Sequence, residues 1–265
     1  MKTKTLLQRC AYFTTVIGLA VANGAYAQTT IHSINSAVIT PRLYNDVPGA
    51  ALNVVSNYPS QIQFTEFGVS APSGFANRDI WQFSYGGTSA YQFQNNDFFQ
   101  VFMTLTLSAS SIAPRKEAGF LLGSSIGGDG QFIVNTDSHE IVAFGGPLPF
   151  YAFPSTYDSG ETITLGMKYI LDTGTGLRSI IYSANGVESP ILPFTNLEQG
   201  VIDGSTLGGY FQIVNASGDP FNSGRANFQD ISIVPEPSPL ALLSLGFLSL
   251  GFVLYQRRSN RSLSI

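Results

Sequence analysis

Apolar and polar residues alternate with period two along most of the chain between residues 28 and 234. Phe99, Val101, Met103, Leu105 and Leu107 share one face, and Gln100, Thr104, Thr106 and Ser108 share the other. Ile163, Leu165, Met167 and Tyr169 alternate in the same way with Thr162, Thr164 and Lys168. Each such strand must bury one face. Further strands are expected over 62–69, 79–85, 118–123, 131–144, 177–183, 207–214 and 226–234, punctuated by Gly, Asp-Gly and Pro. Asn185-Gly186 suits a type I′ hairpin, in which both central residues take positive φ, and Thr136-Asp137-Ser138 divides the 131–144 run into two strands. No helical period is sustained in this stretch. The pattern predicts an all-β fold, a two-sheet antiparallel jelly-roll sandwich, with a closed barrel as the alternative.

The two ends read differently. Lys2, Lys4 and Arg9 precede an apolar stretch over 11–22, and Ala25-Tyr26-Ala27 places small residues where signal peptidase reads. This predicts a secretory signal peptide over 1–27, cut between Ala27 and Gln28. Cys10, the one cysteine, lies inside it, so the exported chain has no disulfide and no cysteine metal site. At the other end, Val234-Pro235-Glu236-Pro237-Ser238-Pro239 leads into an uncharged stretch over 240–255 and then a basic tail over 257–261, with Arg257 and Arg258. As a helix, 240–255 would reach about 24 Å, short of a hydrocarbon core of about 30 Å but usable with snorkelling arginines. The arginines should stay cytoplasmic, leaving 28–234 on the exported side.

The triplet Pro235-Glu236-Pro237, the short Leu/Gly-rich helix and the basic tail together resemble the PEP-CTERM sorting signal of bacteria with two membranes. The resemblance covers residues 235–265. It implies an exosortase as partner, processing near the triplet, and an association with exopolysaccharide and biofilm matrix. It further implies an intermediate anchored in the inner membrane that passes to the cell surface or extracellular matrix.

Charge divides along the same boundaries. Seven Lys/Arg face sixteen Asp/Glu within 28–234, so the exported stretch sits near −9 although the whole chain is −4. So acidic a surface excludes nucleic acid and anionic lipid as charge-driven partners.

A second resemblance comes from the order of local motifs. Glu117-Ala118-Gly119-Phe120, then the strand beginning Gly160-Glu161-Thr162-Ile163, then the Asn185-Gly186 hairpin, and last Phe228-Gln229-Asp230-Ile231 are similar to concanavalin A-like, laminin-G-like sandwiches. That likeness covers about residues 98–233. It implies that the last strand pairs beside the first, with 28–36 as its partner.

Catalytic signals are sparse. Hydrolases of this sandwich carry alternate carboxylates on one strand, and no Glu-x-Asp-x-Glu strand occurs here. Asp137 and Glu140 straddle a turn, Asp158 and Glu161 lead into a strand, and His32 and His139 stand far apart. The acidic glycine turns at Asp129 and Asp203 are calcium candidates without a recognisable ligand spacing, and no other cofactor is expected. The most suggestive binding feature is the Pro-broken aromatic run over 144–157. Phe150, Tyr151, Phe153 and Tyr157, with Asp158, could stack on and bond a sugar, or pack onto the sandwich. These observations lead to the expectation of a non-catalytic, glycan- or exopolysaccharide-associated surface or matrix protein. A passive self-associating component is the alternative, and a polysaccharide hydrolase or lyase using Asp158, Glu161 or His139 is the third.

Overall fold

A computed structural model describes Ile31 and residues 33–124, 127–194 and 202–235. Outside the described residues lie Ala25, Ala27 and Gln28, and also Glu236, Pro237, Arg257, Arg258 and the stretch 240–255. Among the described residues no helix is long and apolar enough to cross a membrane.

The period-two pattern resolves into strands. The first five are β1 (Ser36–Asn45), β2 (Ala51–Asn57), β3 (Gln61–Phe67), β4 (Ala76–Ser84) and β5 (Phe99–Ala109). The next five are β6 (Lys116–Gly123), β7 (Gly130–Asn135), β8 (Ile141–Phe144), β9 (Tyr151–Ala152) and β10 (Thr162–Leu171). The last are β11 (Arg178–Ala184), β12 (Val187–Glu188), β13 (Leu192–Pro193), β14 (Thr206–Val214) and β15 (Ser223–Pro235). One sheet runs β1-β4-β14-β6-β7-β8-β9; the other runs β12-β11-β10-β5-β15-β3-β2, with β13 also on β11. The pairings are antiparallel and the two sheets form a jelly-roll-like sandwich.

Its interior is filled by the alternating residues of both inner faces. Trp81, Phe120, Phe132 and Phe211 of the first sheet meet Phe64, Val101, Met103, Leu105 and Phe228 of the second. Trp81 and Phe228 join the layers edge to face, with centroids 5.9 Å apart. Each large ring contributes about 1.5–3 kcal/mol by leaving water. A second apolar cluster, Ile80, Leu121, Ile133, Val142 and Tyr210, sits on the opposite face of the first sheet.

Most strands fall where alternation places them, and Asn185 (φ 49°) and Gly186 (φ 81°) form the hairpin with both residues in the left-handed region. Two expectations change. The last strand, β15, runs beside β3 and β5, and the first strand, β1, pairs with β4 in the other sheet, so residues 33–36 of the expected partner do not lie beside it; 28–30 and 32 fall outside the described residues. β1 and β2, unexpected from sequence, are edge strands. An edge tolerates the Pro41 in β1, which cannot donate to a ladder, and its register shifts between Thr40 and Tyr44, where Arg42 takes φ 55°.

Candidate functional site

On the outer face of the first sheet, polar side chains form a row across neighbouring strands. Register aligns Arg78 of β4 with Gln212 of β14, Gln212 with Glu117 of β6, and Glu117 with Asn135 of β7. The next row is Ile80, Tyr210, Gly119 and Ile133. Period two puts all of these on one face, because Asp79, Phe211 and Ala118 between them point into the sandwich.

Side-chain bonds link the row from Arg78 to Glu117. Arg78 Nε donates to Gln212 Oε1 at 2.9 Å, and Gln212 Nε2 donates to Glu117 Oε1 at 3.0 Å. The Tyr210 hydroxyl donates to Gln131 Oε1 at 3.2 Å. The Arg78 guanidinium lies 4.9 Å from the Tyr44 ring centroid and 5.4 Å from that of Tyr210. Its remaining ion pair, to Asp129 at 3.5 Å, is long, and the Asp129 side chain is 39% exposed. Arg115 closes the far end, pairing with Glu117 at 3.4 Å and Asp137 at 3.0 Å.

Burial sets the protonation of this face. Loss of solvent pushes the Glu117 carboxyl up, against the pull of Arg115. It also holds the Tyr210 phenol well above its ordinary range, with the Glu117 charge adding to the shift. At neutral pH Tyr210 is therefore a neutral donor beside a carboxyl that binds protons more readily than usual. Cation, amides, carboxyl and phenol converge on one sheet face, a set with the chemistry to hold an anionic group and exchange a proton beside it, with Tyr210 wholly buried and Glu117, Gln131 and Gln212 nearly so.

Sequence reading did not single out Arg78, Glu117, Gln131, Tyr210 or Gln212. For two of them the signal is a polar residue inside a largely apolar strand: Glu117 and Gln131 are buried within strands whose other buried residues are mostly apolar. Only register brings them together, since Tyr210 and Gln131 stand 79 residues apart.

The aromatic run packs mostly inward. Phe153 is buried and stacks on Phe132 with centroids 5.9 Å apart. Tyr157 is buried, with its hydroxyl bonded to Leu107 and Glu161. Tyr151 is half-buried in the short β9, and Phe150, 70% exposed, stands at the surface. The rings therefore do not line up as one platform. Asp158 is exposed and meets His139 Nδ1 at 2.9 Å, while Glu161 accepts from the Asp158 N–H at 3.1 Å. This is a capped surface turn. Of the calcium candidates, Asp129 is paired with Arg78 and Asp203 lies in an exposed turn. Among the described residues no group of three or more His, Cys, Asp or Glu is placed to hold a metal ion.

No family model matches the sequence, and no curated protein matches it. Solved structures similar to the chain include three polysaccharide-active enzymes. An alginate lyase from Pseudomonas aeruginosa is 14% identical, with 69% of this chain and 86% of that chain covered and a TM-score of 0.49. An alginate lyase from Corynebacterium sp. is 13% identical, with 69% and 83% covered and a TM-score of 0.44. An endo-1,3-β-glucanase from Streptomyces sioyaensis is 13% identical, with 76% and 90% covered and a TM-score of 0.46. At these identities the likeness is one of fold. It corrects the expectation of a non-catalytic surface protein.

Proposed function

We propose that the chain is an exported jelly roll that cleaves an acidic polysaccharide by elimination on the outer face of its first sheet. The observation that supports this reading is the bonded row Arg78, Gln212 and Glu117, with Tyr210 beside it on Gln131. Elimination next to a uronate needs donors that stabilise charge on the sugar carboxylate, a base for the neighbouring carbon's proton, and an acid for the leaving glycosidic oxygen. Arg78 and the glutamine amides supply the donors. Glu117, its proton affinity raised by burial, takes the proton, the C–H electron pair becomes the new double bond, and the neutral Tyr210 protonates the departing oxygen. The substrate carboxylate displaces Asp129, the loosest partner of Arg78.

The same proposal places the domain outside the cytoplasm, through signal peptidase at Ala27 and an exosortase at Pro235-Glu236-Pro237, supported by the tripartite pattern of each end. Incubating the full chain with alginate, other uronate polymers and neutral β-1,3-glucan tests the chemistry. Unsaturated uronate ends, seen by ultraviolet absorbance, are expected from the acidic polymers. Reducing ends without unsaturation would replace elimination by hydrolysis, and no cleavage of any polymer would overturn the reading.

A further inference from the structure

The exported stretch holds seven Lys/Arg, all among the described residues. Six are tied to protein acceptors: Arg42 to Glu66, Arg78 to Asp129, Arg115 to Glu117, Lys116 to the Ser111 carbonyl, Lys168 to Glu188 and Arg178 to the Asn95 carbonyl. Arg225 is the exception. It is exposed, and its side chain makes no hydrogen bond or ion pair among the described residues.

Its surroundings are those of a binding site. Arg225 lies on the outer face of β15 opposite Thr65 of β3, and Phe67 lies opposite Ser223 two residues on. Together with Ser108 and Ser110 these residues line a cleft of about 230 Å³ on the second sheet. Phe67 is 52% exposed although it is a large apolar ring. The cleft thus combines one uncommitted cation, hydroxyl groups and one open aromatic face. Its volume falls below the roughly 300 Å³ at which pockets for drug-sized ligands begin, a size suited to a single sugar ring. A ring face accepts the apolar C–H surface of a pyranose, hydroxyls match hydroxyls, and a guanidinium selects a planar or tetrahedral oxyanion. In a domain near −9, an unpaired arginine is the feature that makes an anionic ligand tolerable there.

We infer that this cleft is a binding subsite for one anionic saccharide unit, carried on the sheet opposite the Tyr210 row. A uronate and a sulfated sugar share the required chemistry. The inference goes beyond the cleavage reading and needs no reaction at the first sheet.

Titration calorimetry on the full chain tests it, with short uronate, sulfated and neutral gluco-oligosaccharides as probes. Binding of a charged probe is expected, weakened about ten- to hundredfold by Arg225→Gln, the range for loss of a charge-assisted hydrogen bond. Phe67→Ala should weaken it as well; both side chains are exposed, so neither change should unfold the chain. Whichever charged probe binds identifies the oxyanion. Equal binding of neutral and charged probes, unchanged affinity in Arg225→Gln, or no binding at all would overturn the inference. Binding lost in Arg78→Gln but kept in Arg225→Gln would sink the cleft and leave the cleavage reading standing. Arg225-dependent binding without cleavage would do the reverse.

Discussion

Arg42 of β1 holds Glu66 of β3 in a two-pronged ion pair, Nε to Oε1 at 2.8 Å and Nη2 to Oε2 at 2.9 Å, and so ties an edge strand of one sheet to the other sheet. Asp79 joins them by accepting the Arg42 backbone N–H at 2.8 Å, while its Oδ2 has no hydrogen-bond partner among the described residues. Two buried carboxyls therefore meet one arginine, Glu66 at its guanidinium and Asp79 at its backbone N–H. Burial raises Glu66 to about 7, helped by the Asp79 charge and opposed by Arg42, and burial raises Asp79 to about 6.

Stability should consequently fall as pH rises through this pair. Both carboxyls bind protons more tightly in the folded state than at their ordinary values of 4.5 and 3.8. Between those values and about 7 the folded chain holds more protons than the unfolded one, so acidification over this window favours folding. Melting followed by circular dichroism should show a midpoint higher at pH 5 than at pH 7.5 by roughly 3 °C. Asp79→Asn should flatten the difference, and an unchanged slope in that variant would show that other groups govern it.

Tyr157 is the structural anchor of the aromatic run. Its hydroxyl accepts from Leu107 N–H at 2.7 Å and stands 3.0 Å from Leu107 O and 2.7 Å from Glu161 O. Tyr157→Phe strands a buried N–H and should cost about 1–3 kcal/mol, read as a lower denaturant midpoint with an unchanged slope. Phe150→Ala, at an exposed ring, should move stability by less than about 0.5 kcal/mol.

The contrast between these two residues shows what was legible in the sequence. Strands with one wet face, β5 and β10, announce themselves by alternation, and the Asn185-Gly186 turn by its chemistry. Edge strands do not, because β1 carries Pro41 and a bulge that its position permits. Which face of an irregular aromatic run turns inward depends on partners far away in sequence: Phe153 needs Phe132, and Tyr157 needs Leu107. The Tyr210 row was hidden for the same reason, since four strands spread along the sequence contribute to it and only their register brings the residues together.

Close backbone approach makes Gly208 irreplaceable. It lies between Gln82 of β4 and Leu121 of β6 in register, and an added methyl would run into the Trp81 carbonyl oxygen. Backbone cannot swing aside as a side-chain tip can, so Gly208→Ala should cost about 3 kcal/mol and loosen the strand beneath Tyr210. Gly186→Ala loses only the left-handed preference of the hairpin, with φ at 81° and open space around it, and should cost about 1–2 kcal/mol. Thermal melts of the two variants side by side check the order.

If the Tyr210 row carries elimination, its pH dependence should report Glu117. The base must be ionised to take the sugar proton, so kcat/KM should climb with pH through a carboxyl value above the ordinary 4.5 of glutamate, because burial raises it. Tyr210 stays protonated throughout this range, its phenol held well above 10.0, so no descending limb should appear below about pH 10. Glu117→Gln keeps the amide able to bond Gln212 but cannot accept the proton, and should lower kcat by about 100-fold or more while removing the ascending limb. Tyr210→Phe should lower kcat similarly with the limb retained, because the base is still present. Arg78→Gln should raise KM for uronate polymers and reduce the salt dependence of binding. An ascending limb that survives in Glu117→Gln would move the base elsewhere. Full activity in Tyr210→Phe would remove the phenol from the reaction.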